Sequence, residues 1–215
     1  MQRAITTVIL AGGLGTRIGG AKGLQSLRER ALIEWVLDTV SPQSDEVFIN
    51  ANERDAYVCF GHRIIADQTP GWAGPLAGLQ SALRCARHDW VACVPCDTPF
   101  LPDDLIARLF AAASAHAAEA AVAVAAGRRQ PAIALYHKSV LPSLDAYLDS
   151  GGRKVADWQN TLHLSEVAFD DADAFININS PQDLIRASQM TANNFTGMAG
   201  MPAAPMATPG TLKEK

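Results

Sequence analysis

Hydrophobic positions along the chain switch repeatedly between short unbroken apolar runs and an i, i+3, i+4 spacing, and that alternation predicts a parallel α/β architecture. Ala4–Leu10 reads as a buried strand, after which Ile33, Val36, Leu37 and Val40 recur at helical spacing up to Ser41-Pro42. Strand Glu46–Asn50, a short polar helix around Glu53–Phe60 and strand Arg63–Ala66 follow. Leu76–Arg87 predicts a helix and His88–Val94 a central strand. Leu105, Ile106, Leu109 and Phe110 mark a further helix, opened by Pro102-Asp103-Asp104 with acids in the first turn, where the helix dipole favours them.

In the second half, AAVAVAA and PAIALYH predict two strands around a basic turn, Gly127-Arg128-Arg129-Gln130. Helices are expected over Leu141–Leu148 and Val155–Trp158. FININ predicts a short strand that puts Asn177 and Asn179 on one face, and Ser180 caps a last helix with Pro181 at its first position, ending near Gln189. From residue 190 onward Pro, Gly, Ala and Met recur without period, which predicts one folded domain over 1–189 and a disordered tail over 190–215.

With 215 residues, 48% hydrophobic and 19% charged, the chain can bury a full core. A net charge of −4 argues against a polyanion-binding surface and against nucleic acid as partner, so phosphate recognition has to be local. The apolar runs are too short for a membrane span, and ITTVILA runs straight into glycines without a signal-peptide cleavage region, so a cytoplasmic location is expected. Cys93 and Cys96 form a C-x-x-C, but inside the apolar strand WVACVPC with no second pair or nearby His, so small buried core residues are the better reading than a metal or redox pair.

The chemistry concentrates in VILAGGLGTRIGGAKGL, Val8 to Leu24, where a strand meets a loop carrying five glycines between Leu10 and Lys22, with Arg17 and Lys22 as cations. Glycines allow backbone N–H groups to approach an oligophosphate closely, and successive amides form an anion-binding concavity. A helix beginning near Gly23 is expected to add its positive end. A Walker loop fails on Ala21 and Gly23 around Lys22, and the dinucleotide fingerprint starting at Gly13 fails at Ile18.

Ligands in open parallel sheets sit beyond the carboxyl ends of the strands. Gly12 and Gly13 end the first strand, Asn50 the second, Asp67 the third and Asp97 the fourth, a mixture suited to an oligophosphate with Mg²⁺. Asn50 and Asp67 are also ordinary turn residues, Asp97 could cap the Thr98-Pro99 turn, and Gly74 and Gly78 could serve only close helix packing.

LAGGLGTR with GGAKGL, then INAN, IIAD, GPLAGL, VPCDTPFLP, QPAIAL and FININSPQDL, in that order over residues 5 to 189, resemble the molybdenum cofactor guanylyltransferases. The resemblance implies a Rossmann-like, three-layer α/β nucleotidyltransferase fold with a mostly parallel central sheet. It implies that Leu10, Ala11, Gly12, Gly13, Lys22, Asn50, Asp67, Gly78 and Asp97 bind GTP, that Asp97 also holds Mg²⁺, and that Asn177 and Asn179 lie toward molybdopterin or Mo-molybdopterin. Arg17, Lys22 and Asp97 are the expected catalytic residues, and cofactor-delivery and acceptor proteins the expected partners. Four residues separate Arg17 from Lys22 where family members usually have five, and Glu29-Arg30-Ala31 stands where they have Gly-Lys-Pro.

The implied reaction moves GMP from GTP to the terminal phosphate of the pterin and releases pyrophosphate. A molybdopterin cytidylyltransferase is the nearest alternative, against which Gly12-Gly13 speaks. A sugar-phosphate nucleotidyltransferase is the other, against which the short Arg17-to-Lys22 spacing speaks.

Overall fold

The structure, a computed structural model, describes residues 4–12, 22–68 and 74–190. Elements run in the order β1 (Ile5–Leu10), β2 (Ser26–Leu27), β3 (Arg30–Ala31), α1 (Leu32–Val40), β4 (Glu46–Asn50), β5 (Arg63–Ile65), α2 (Pro75–Cys85), β6 (Trp90–Pro95) and α3 (Leu105–Ala115). They continue with β7 (Ala120–Ala125), β8 (Arg128–His137), α4 (Leu141–Asp149), α5 (Val155–Gln159), β9 (Leu164–Phe169) and α6 (Pro181–Gln189).

A seven-stranded sheet has the order β5-β4-β1-β6-β8-β7-β9. β1 pairs in parallel with both β4 and β6, β4 with β5, and β7 with β9, while β8 runs antiparallel to β6 and β7. Side chains on a strand alternate between faces, and here each face finds its own helices. Ile5, Ile9, Ala92, Val94 and Cys96 pack with Ile33, Val36, Leu105 and Leu109 of α1 and α3. Val8, Val91 and Cys93 pack with Leu76, Leu79, Leu83, Leu144 and Trp158 of α2, α4 and α5. The expected three-layer, mostly parallel α/β fold is the one observed.

The same alternation disposes of the C-x-x-C. Cys93 and Cys96, three apart on an extended segment, are buried in opposite layers, and burial pushes each thiol up to about 12. Neither is a thiolate at neutral pH.

Chain direction places the switch point. From β1 the sheet grows through β4 to β5 on one side, and the chain then returns to β6 on the other side of β1. A crevice therefore opens beyond the carboxyl ends of β1 and β6.

Four local expectations are corrected. The stretch at Gly23 is a single 3-10 turn, Lys22–Leu24, followed by the β2–β3 hairpin, so the helix expected to begin there is not formed; Arg28 and Glu29 turn the chain back with φ of 51° and 65°. The helix expected around Glu53–Phe60 is two 3-10 turns, Arg54–Ala56 and Val58–Phe60, separated by Tyr57, whose ring is drawn into the core. FININ makes no ladder; Asp173–Phe175 forms a 3-10 turn, and the following residues are tied to the sheet end by the Ile178 N–H donating to the Asp97 carbonyl at 2.8 Å. The basic turn shifts to Ala126-Gly127, both at positive φ, leaving Arg128 paired with Ala125 in the ladder. Strand β9 was not anticipated: LSEVAF buries only Ser165 and Phe169 fully, too weak an apolar pattern to read.

Candidate active site

The ends of four parallel strands converge through register. Leu10 lies opposite Asn50 on one side and Pro95 on the other, and Asn50 lies opposite Ile65. Two steps beyond those pairs come Gly12, Asp67 and Asp97 at one edge of the sheet. The strands continue their hydrogen bonding just past their ends: Ala11 N–H donates to Asn50 O at 2.9 Å, Ala51 N–H to Ile65 O at 3.0 Å, and Cys96 N–H to Leu10 O at 3.1 Å. Gly12 and Asp97, the pair on which a shared phosphate-and-metal site depends, flank the switch point as neighbours.

On the β4–β5 side, Asn50 is 3% exposed. Its Nδ2 donates to Ile65 O at 3.2 Å and to Asp67 Oδ1 at 2.9 Å. Its Oδ1 faces α2 at Gly78, where a Cβ would stand 2.2 Å from it and 2.7 Å from Leu10 Cδ2. A Cβ on Gly12 would lie 3.5 Å from the same oxygen. The Pro75-initiated helix thus approaches the sheet end at a residue without a side chain, and Leu10, Gly12, Asn50, Asp67 and Gly78 form one wall.

On the β6 side, Asp97 is 7% exposed. Lys22 Nζ lies 3.5 Å from its Oδ2 and 2.6 Å from Asn179 Oδ1. Burial raises the Asp97 pKa from its ordinary value, and the nearby Lys22 ammonium only partly opposes it. Beneath Lys22, Gly23 packs against Tyr57 and Cys96, with a Cβ there meeting the Tyr57 hydroxyl at 3.2 Å.

Asn179 is therefore brought to the site, whereas Asn177 is exposed and makes no hydrogen bond to it among the described residues. Gly13 and Arg17 lie outside the described residues, as do positions 191–215. Two participants went unassigned in the sequence. Tyr57, the wall behind Gly23, carries no local signal. Asn52, which bonds Asp67 twice, stands two positions after Asn50 in INAN, and that period-2 repeat of an amide at a strand end was the available signal.

Among the described residues no group of three or more His, Cys, Asp or Glu could hold a metal ion. Among the described residues Asp97 is the buried carboxylate at the end of the sheet, and that would suit Mg²⁺ carried on a triphosphate, an ion that keeps several waters and takes one or two protein carboxylates. The donor set fits that use and not a resident metal cage.

Fold and site define a nucleotidyltransferase, and the MobA-like NTP transferase domain family model matches residues 7–164. Proteins named molybdenum cofactor guanylyltransferase are 45% identical over 187 residues in Cupriavidus pinatubonensis, covering 84% of this chain and 94% of that protein. In Shewanella halifaxensis the figure is 39% over 196 residues, covering 90% and 98%. The molybdopterin-guanine dinucleotide biosynthesis protein A structure from Archaeoglobus fulgidus superposes with a TM-score of 0.73 at 26% identity, covering 86% of this chain and 97% of that one. A 2-C-methyl-D-erythritol 4-phosphate cytidylyltransferase from Thermus thermophilus, at 19% identity and TM-score 0.64 with 87% and 98% covered, shares the fold. The chain belongs to the molybdenum cofactor guanylyltransferase family.

Proposed function

We propose that this chain transfers GMP from GTP to the terminal phosphate of molybdopterin or its molybdenum-loaded form, giving the guanine dinucleotide cofactor and pyrophosphate. One observation carries the site: Gly12 and Asp97 end adjacent parallel strands at the switch point, with Lys22 between Asp97 and Asn179.

A pterin phosphate oxygen forms the new bond to the α-phosphorus, and the bond from that phosphorus to the α,β-bridging oxygen breaks, its electron pair leaving with pyrophosphate. The attacking phosphate is already ionised, so no protein base is needed, and catalysis consists of alignment and charge stabilisation. Gly12 and Gly13 offer backbone amides to the triphosphate, and Leu10 and Ala11, the latter's N–H already donated to Asn50 O, fix where that turn leaves the sheet and line it. Lys22 and Arg17 take its oxygens. Asp97 is the residue that would hold Mg²⁺, and the ion would supply charge stabilisation to the transferred phosphate and the leaving group. Asn50, Asp67 and Gly78 receive the nucleoside, and Asn179, with Asn177 near it in sequence, faces the pterin side.

No helix of the described residues is long and apolar enough to cross a membrane. We place the enzyme in the cytoplasm, with proteins that deliver the pterin and accept the finished cofactor as its partners. The test is pyrophosphate release from GTP, CTP and ATP with molybdopterin, with and without Mg²⁺. Metal-dependent turnover with GTP is the expected result. Preference for CTP would overturn the guanylyl assignment.

A further inference from the structure

We propose that Asn52 is a positioning residue that fixes the Asp67 carboxylate for recognition of the guanine edge, a step that rests on reading Asp67 as part of the nucleotide site. Asn52 grips Asp67 at two points. Its Nδ2 donates to Asp67 Oδ2 at 3.1 Å, and its Oδ1 accepts the Asp67 backbone N–H at 3.1 Å. Asn50 supplies the third contact, donating to Asp67 Oδ1 at 2.9 Å. Both carboxylate oxygens are held, each by one neutral amide.

That arrangement orients the group without neutralising it. An ionised carboxylate has about four lone-pair sites, so each oxygen of Asp67 keeps acceptor capacity, and no ion pair among the described residues involves it. Two oxygens locked side by side match two adjacent N–H donors on one planar edge, as guanine presents at N1 and its 2-amino group.

Distance along the sheet separates this task from phosphate binding. Asp67 follows β5 and Asp97 follows β6, three strand positions apart, on the order of 14 Å at about 4.8 Å per strand. With phosphates gathered at Asp97 and Lys22, Asp67 meets the opposite end of the nucleotide.

The experiment compares Asn52→Ala, Asn52→Asp and Asp67→Asn in the full chain, using steady-state kinetics with GTP and inosine triphosphate, which lacks the 2-amino group. Asn52 is exposed and Asp67 half-buried at the sheet edge, so all three variants should fold, and thermal melts verify it. Asn52→Ala should raise KM for GTP about tenfold with kcat within about twofold, and should shrink the preference for GTP over inosine triphosphate. Asn52→Asp is the discriminating variant. It retains the acceptor for the Asp67 N–H but sets a carboxylate against a carboxylate, so it should be worse than Ala if aiming Asp67 is the role. Wild-type behaviour of Asn52→Asp would show a purely structural tie and overturn the proposal. Unchanged KM and base preference in Asp67→Asn would instead remove the reading of Asp67 beneath it.

Discussion

Lys22 and Asn179, 157 positions apart in sequence, meet through a 2.6 Å hydrogen bond from Nζ to Oδ1. The same ammonium lies 3.5 Å from Asp97, so one cation touches both the acid proposed to hold Mg²⁺ and the residue proposed to face the acceptor substrate. Lys22→Ala should lower kcat about a hundred- to a thousandfold, the usual effect of removing one charge-stabilising donor. Asn179→Asp should be more damaging than Asn179→Ala, because the added negative charge draws Lys22 away from the triphosphate. In a Lys22→Ala background the two Asn179 variants should differ little, and a double-mutant cycle on kcat/KM measures that coupling.

Asp97 combines a functional demand with a folding penalty. Its folded-state pKa is raised by burial, so the folded chain keeps the proton at pH values where the unfolded chain has released it. The stabilising contribution is complete below the ordinary carboxylate range and is lost as pH rises through the raised folded value. Asp97→Asn should therefore melt at least as high as the parent at pH 7, with the difference closing in acid, while transfer is largely abolished. Activity of the parent should fall on the acid side at a higher pH than a freely exposed Asp would give, because the protonated acid no longer accepts a cation. Melting curves and kcat/KM against pH follow the two effects separately.

Gly78→Ala tests the wall shared by α2 and the end of β1. Alanine is the better helix former by about 1 kcal/mol, yet its methyl would stand 2.2 Å from Asn50 Oδ1. Asn50 has to rotate, giving up its bonds to Ile65 O and Asp67 Oδ1. GTP affinity should fall at least about tenfold, because Asp67 loses the Asn50 amide that orients it, a bond to a charged partner worth roughly 1.5–3 kcal/mol. Equilibrium binding of GTP gives the direct measurement, and unaltered affinity would mean that the nucleoside does not use this wall.

Much of the fold was readable because its signals are local. Buried runs such as Ile5–Leu10 and Trp90–Pro95 sit between two helical layers and need no alternation, so they announce themselves as central strands. The residues at their ends followed from topology: once the strands are parallel, Asn50, Asp67 and Asp97 share an edge. What escaped depends on contacts distant in sequence. β9 is held by its parallel ladder with β7, not by its own composition. FININ alternates like a strand, but Ile178 is buried against Leu27, Trp35 and Phe100, and its N–H bonds a single carbonyl instead of joining a ladder. Asn52 looks like a loop polar residue until Asp67 is set beside it.

The β2–β3 hairpin stores strain that substitution can release. Two-residue hairpin loops favour positive φ at both central positions, which suits Asn and Gly. Here Arg28 and Glu29 occupy them, at 51° and 65°. Left-handed backbone costs a residue with a Cβ about 1–2 kcal/mol, and the extra freedom of glycine in the unfolded chain returns about 0.4–1 kcal/mol of that. Glu29→Gly should thus stabilise by roughly 0.5–1 kcal/mol. Arg28→Gly should not, because the Arg28 guanidinium donates to Ser188 O at 2.9 Å and Met190 O at 3.0 Å, pinning the end of α6 to the hairpin. Urea denaturation of the two variants separates backbone relief from lost contacts: the midpoint should rise for Glu29→Gly and fall for Arg28→Gly. A midpoint that does not rise for Glu29→Gly would mean that hairpin strain does not govern stability here, and one that rises equally for Arg28→Gly would mean that the contacts to α6 add little.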